Sequence, residues 1–145
     1  MSERKHLLMI DDDPDFVEGI RSILTKTYDV DVAHNPKDGL AALAKTRYDL
    51  VLLDIMMGRG AEGVMVARKM SRDAKLREIP VLIITGIREQ IAFLFGSQAL
   101  HPHFVEVDEL LEKPVDPRLL VERIEALLKA AATVKKTGAK APPAK

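Results

Sequence analysis

Apolar residues in this chain fall into two recurring patterns: short unbroken runs of strand length, and stretches in which they return every three or four positions. Leu50-Val51-Leu52-Leu53 is the clearest run. A strand that is apolar at every position is buried on both faces, which marks a central strand of a parallel sheet. His6–Ile10 and residues 79–84 read the same way, and residues 109–112 form a short further strand. Residues 28–33 instead alternate polar and apolar, as an edge or half-exposed strand does. Between the strands lie Phe16, Ile20, Ile23 and Leu24; then Leu40, Leu43 and Ala44; then Val64, Ala67 and Met70, all at helical spacing. Residues 89–96 are also expected to be helical. A last helix follows Asp116-Pro117 and carries Leu120, Ile124, Leu127 and Leu128. Pro14, Pro36 and Pro117 suit first turns of helices, where no N–H is needed.

Five strands alternating with five helices predict an α/β domain over residues 1–130, with a parallel sheet covered on both faces, because parallel pairing requires helical crossovers. Residues 131–145 are rich in Ala, Lys and Pro and offer little to bury, so a disordered tail is expected there.

Composition narrows the function. Among 145 residues there is no cysteine, which excludes a disulfide framework, a thiolate nucleophile and a Cys-based metal site. Lys plus Arg balances Asp plus Glu at 22 each, so no basic field recruits nucleic acid, and none is expected as a partner. No apolar run approaches the roughly 20 residues that span a bilayer, and Met1 leads into a strand rather than a signal peptide. The expectation is a cytoplasmic protein with no membrane partner.

The chemistry collects where strands end. Asp11-Asp12 follows the first strand, Asp54 the third, Thr85 the fourth and Lys113 the fifth. Carboxyl ends of parallel strands border the crevice where ligands bind, and a strand order of 2-1-3-4-5 sets strands 1, 3, 4 and 5 side by side. Three carboxylates in one pocket repel one another, and a hard divalent cation with oxygen ligands relieves that. The set has the parts for phosphoryl transfer onto a carboxylate: Asp54 as nucleophile, Asp11 and Asp12 for a metal, the Met56 carbonyl as a further oxygen, Lys113 to neutralise charge and Thr85 as a hydroxyl donor. Asp13 and Asp15 read as helix N-terminal acids. A calcium loop over Asp11 to Asp15 is excluded because Phe16 and Ser22 stand where Gly and an acid are required. A phosphohydrolase would need a carboxylate where Met56 stands. The four His are scattered without ligand spacing.

These motifs, Ile10-Asp11-Asp12-Asp13-Pro14, Leu52-Leu53-Asp54-Ile55-Met56-Met57, Ile79-Pro80-Val81 through Thr85, and Glu112-Lys113-Pro114 with Asp116-Pro117, resemble the response-regulator receiver domain of two-component signalling over residues 6 to about 129. The resemblance implies a flavodoxin-like, doubly wound five-stranded parallel sheet in the order 2-1-3-4-5 with five helices. It implies that Asp54 accepts a phosphoryl group from a histidine kinase, a phosphotransfer protein or a small phosphodonor. Mg²⁺ would be bound by Asp11, Asp12, Asp54 and the Met56 carbonyl, with Thr85 and Lys113 meeting the phosphoryl group. A receiver catalyses its own phosphorylation and dephosphorylation, and with no output domain in the sequence a stand-alone receiver is expected; the alternative is an interaction or adaptor module of the same fold that works without phosphorylation.

The chain departs from the family pattern at Gly58, where Pro is usual, in a longer loop up to Gly63, at Gly86, at Leu110 where an aromatic is common, and in a lengthened segment before Lys113. Ile91 to Phe95 are consecutive apolar residues, with Phe104 nearby, more than one face of a surface helix buries. Signalling through protein contacts of residues 86–115, including a homodimer, is the expectation this raises.

Overall fold

The computed structural model describes residues 4–57, 62–86 and 109–137. Five strands, β1 (His6–Ile10), β2 (Asp29–Ala33), β3 (Leu50–Leu53), β4 (Val81–Thr85) and β5 (Glu109–Glu112), form one sheet in the order β2-β1-β3-β4-β5. Every pairing is parallel. The four helices of the described residues are α1 (Pro14–Leu24), α2 (Pro36–Lys45), α3 (Gly63–Arg72) and α4 (Pro117–Thr137). The helix expected over 89–96, with the apolar residues around it, lies outside the described residues.

Alternate residues of the strands bury on opposite sides, and both sides are covered. Leu8, Ile10, Val51, Leu53 and Ile83 join a cluster that includes Leu43 of α2 and Val66, Ala67 and Met70 of α3. Leu7, Met9, Leu50, Leu52, Leu82 and Ile84 join one with Val17, Ile20 and Leu24 of α1 and Leu120 and Ile124 of α4. That double burial is why β3 carries no polar residue and β1 and β4 carry one only at an end, His6 and Thr85. Each such side chain contributes about 1.5–3 kcal/mol relative to exposure. Edge strand β2 shows the expected alternation, with Asp29 and Asp31 exposed and Val30 buried.

The starts of α1, α2 and α4 are set by side-chain caps, whereas Glu62 at the start of α3 makes no side-chain cap. Asp13 accepts from the N–H groups of Asp15 and Phe16, each at 3.2 Å, ahead of Pro14. Asn35 accepts from Asp38 N–H at 2.8 Å, and Asp116 from Arg118 N–H at 2.9 Å. Asp13 and Asp15 therefore serve the first turn of α1, as their position suggests.

The C-terminal boundary differs from expectation. α4 continues to Thr137, so 131–137 are helical rather than a disordered tail, and residues 138–145 lie outside the described residues. Ala130-Ala131-Ala132 explains the extension: alanine loses no side-chain entropy in a helix, so propagation from an already docked helix does not need a buried face. No helix of the described residues is long and apolar enough to cross a membrane.

Candidate functional site at the carboxyl edge of the sheet

Strand register brings the acids together. Ile10 is paired with Leu53, so Asp11 and Asp54, each one residue further on, leave adjacent strands at the same level. Their backbones are tied in place: Asp11 N–H donates to the Ala33 carbonyl at 3.0 Å and Asp54 N–H to the Ile10 carbonyl at 2.9 Å. On the other side Thr85 is paired with Glu112, and Lys113 N–H donates to the Thr85 carbonyl at 2.7 Å. The Lys113–Pro114 peptide is cis.

Lys113 is the centre of charge. Its Nζ lies 2.9 Å from Asp11 Oδ2 and 3.4 Å from Asp54 Oδ2, and it sits 4.2 Å from the centre of the Phe16 ring. Asp11 and Asp54 are buried, Lys113 is half-buried and Asp12 is exposed. Asp54 Oδ1 accepts from Met56 N–H at 3.0 Å and Asp11 Oδ1 from Asp13 N–H at 2.9 Å, which orients both carboxylates. Thr85 is fully buried, and its hydroxyl is the one buried side-chain polar atom without a hydrogen-bond partner among the described residues.

The electrostatics follow from burial. Asp54 is pushed up from 3.8 to about 6, first by desolvation and then by the Asp11 charge, against the opposing effects of Lys113 and Met56 N–H. Burial by itself lowers the Lys113 ammonium, but its bond to Asp11 and the charges of Asp11 and Asp54 outweigh it, so the group is raised overall. Among the described residues both carboxylates thus share one cation, which lies closer to Asp11 than to Asp54.

Carboxylate oxygens of Asp11, Asp12 and Asp54 lie within 4.8 Å of one another. An all-oxygen donor set of this size fits Mg²⁺, which binds through one or two carboxylates, waters and a phosphate oxygen. The orphaned Thr85 hydroxyl fits the same picture, because a buried donor left unpaired costs about 1–3 kcal/mol until an acceptor reaches it.

All five side chains singled out from the sequence, Asp11, Asp12, Asp54, Thr85 and Lys113, therefore belong to one edge. Two contributors were not singled out. Phe16 covers Lys113 from α1, although its helical spacing reads only as core. Gly63 reads as a loop glycine but is the first residue of α3, donating from its N–H to the Ile55 carbonyl at 2.9 Å. A Cβ there would run into the Asp54 carbonyl oxygen and stand 2.7 Å from Ile55 Cα.

This fold and this edge define a class, and comparison with known proteins agrees. The family model for the response regulator receiver domain matches residues 7–125. The chain belongs to this family, the receiver domains of two-component signalling. It is 35% identical over 132 residues to the transcriptional regulatory protein CpxR homolog of Haemophilus influenzae, covering 88% of this chain and 52% of that protein. Protein PilH of Pseudomonas aeruginosa is 31% identical over 123 residues, covering 84% of this chain and 96% of PilH. The chain thus spans about half the length of relatives such as the CpxR homolog but nearly all of PilH. Among solved structures, a CheY-like response regulator receiver domain protein from Methanospirillum hungatei superposes with a TM-score of 0.76 at 26% identity, over 90% of this chain and 98% of that one.

Proposed function

We propose that this receiver accepts a phosphoryl group on Asp54 in a Mg²⁺-dependent reaction, from the phosphohistidine of a histidine kinase or phosphotransfer protein. The observation that carries this reading is the convergence of Asp11, Asp54, Thr85 and Lys113 at one strand edge, with one ammonium between two buried carboxylates.

An Asp54 carboxylate oxygen forms a bond to phosphorus as the P–N bond of the donor breaks, and the departing imidazole keeps the electron pair and takes up a proton. When bound by Asp11, Asp12, Asp54 and the Met56 carbonyl, a divalent cation supplies charge neutralisation for the phosphoryl oxygens. Met56 N–H holds one oxygen of Asp54 and so orients the other. The Lys113 ammonium, now shared between Asp11 and Asp54, pairs with a phosphoryl oxygen once Asp54 is an acyl phosphate and the negative charge has moved from its carboxylate to the phosphoryl group. The unpartnered Thr85 hydroxyl donates to another. Hydrolysis of the acyl phosphate by water returns the receiver to its first state.

The test is intact mass after incubation with acetyl phosphate and Mg²⁺. A gain of one phosphoryl group is expected, absent from Asp54→Asn and absent in excess EDTA. A gain that persists in either case rejects the assignment. No gain in the unaltered protein with this donor or a phosphorylated histidine phosphotransfer domain favours the phosphorylation-independent module instead.

A further inference from the structure

At the opposite edge of the sheet from Asp54, α2 and α3 border an open cleft of about 700 Å³. Its floor is aliphatic: Leu43 and Ile79 are buried there, and Leu40 and Leu76 are partly exposed. Around that floor stand Lys45, Arg47, Lys69, Arg72 and Lys75, all exposed, with Asp73 as the single carboxylate. Five cations less one anion give the lining an excess of +4, in a chain whose 22 basic and 22 acidic residues cancel. Asp73 is already engaged, since its Oδ1 accepts from the N–H groups of Lys75 at 2.7 Å and Leu76 at 3.1 Å. None of the five cations forms an ion pair among the described residues.

A purely structural origin explains part of this. Lys45 ends α2 and Lys69 and Arg72 lie in the last turn of α3, where cations offset the helix dipole. Arg47 also has a structural tie, donating from Nη1 to the Lys75 carbonyl at 3.5 Å across the two connections, but dipole and tie together explain neither the Lys75 ammonium facing the same cleft nor the aliphatic floor.

We propose that this cleft is a constitutive docking site for an acidic amphipathic helical segment of a partner protein. Apolar residues on one face of that segment seat on Leu40 and Leu76, and its carboxylates meet the ring of cations, as amphipathic helices do in grooves. The cleft chemistry selects this occupant. Its floor has no aromatic ring on which bases stack, which disfavours nucleic acid. Leu43 and Ile79 are only 5% and 3% exposed, too recessed to enter a bilayer. A bare phosphate leaves the apolar floor uncovered. Thr46 and Arg47 precede β3 and Ile79 precedes β4, at the amino ends of the strands whose carboxyl ends lead to Asp54 and Thr85. Docking is therefore indifferent to the chemistry at Asp54 and serves to hold the receiver near its partner in either state.

The test selects a displayed library of 16-residue peptides on the full chain, with counter-selection on Lys69→Glu/Arg72→Glu. Expected is enrichment of Asp- and Glu-rich peptides with apolar residues three to four apart. A synthetic copy should shift amide resonances within residues 40–47 and 69–79, bind at least tenfold more weakly to Lys69→Gln/Arg72→Gln, and bind equally with and without prior treatment with acetyl phosphate. The neutral variant keeps the test valid if charge reversal perturbs folding. Enrichment without acidic residues, equal enrichment on the variants, or shifts elsewhere overturns the proposal. So does tighter Lys69- and Arg72-dependent binding to phosphatidylglycerol vesicles, to a single-stranded oligonucleotide or to a second copy of the chain.

Discussion

Gly63 lies against the backbone of Asp54 so closely that the space for a Cβ is already occupied by the Asp54 carbonyl and Ile55 Cα. The start of α3 is thereby pressed onto the loop that carries the phosphoacceptor candidate, and the Gly63 N–H to Ile55 carbonyl bond at 2.9 Å locks the two together. Backbone atoms cannot turn aside as a flexible side chain can. Gly63→Ala should therefore destabilise the domain by about 1–3 kcal/mol through overpacking, read by urea denaturation. It should also slow Asp54 phosphorylation by acetyl phosphate, since relief requires moving the Asp54 loop. A variant with wild-type stability would show that the loop yields freely.

Asp54 gives a pH signature in metal-free protein. Its carboxyl is raised from 3.8 to about 6 in the fold, so between those values the folded state binds more protons than the unfolded state, and stability falls as pH rises through the window. Above pH 6 the penalty is complete, at most about 3 kcal/mol. Asp54→Asn in EDTA should raise stability by about 1–3 kcal/mol at pH 7.5, with the gain shrinking toward zero near pH 4. A gain of the same size at both pH values would assign the effect to packing instead of charge.

Removing the shared cation has the opposite sign. Lys113→Met keeps much of the side-chain length but leaves Asp11 and Asp54 uncompensated, which should cost about 3 kcal/mol at pH 7.5 and recover as Asp54 protonates on acidification. Phe16→Leu should be milder, about 0.5–2 kcal/mol, since it removes only the ring beside Nζ, and Phe16→Tyr should restore it. Chemical denaturation at two pH values separates these outcomes.

Mg²⁺ at about 100 times its Kd should stabilise the native state by roughly 2.7 kcal/mol, because the three carboxylates converge only when folded. Thermal melting in Mg²⁺ and in EDTA measures this directly. Identical curves would mean that Asp11, Asp12 and Asp54 do not form a cation site, and Asp11→Asn should reduce the difference in melting.

The parts governed by neighbours in the chain can be read before any fold is considered. Continuous apolar runs such as Leu50–Leu53 have only one economical place, a strand buried on both faces, and Asp13 or Asn35 before a proline marks a helix start without reference to anything distant. Once the strands are parallel, residues ending them must share an edge, so Asp11, Asp54, Thr85 and Lys113 were legible as one group. What depends on approach between elements takes form only on folding. Gly63 is readable as a turn residue until α3 is packed on Asp54, and Phe16 has core spacing until α1 turns its ring toward Lys113. The cations of α2, α3 and the loops beyond them are scattered in sequence, and only the crossing of two helices over the sheet gathers them around one floor. The end of α4 divides the same way: absence of an apolar face argues against docking, but a helix already anchored by Leu120 and Ile124 extends through alanines on propensity alone.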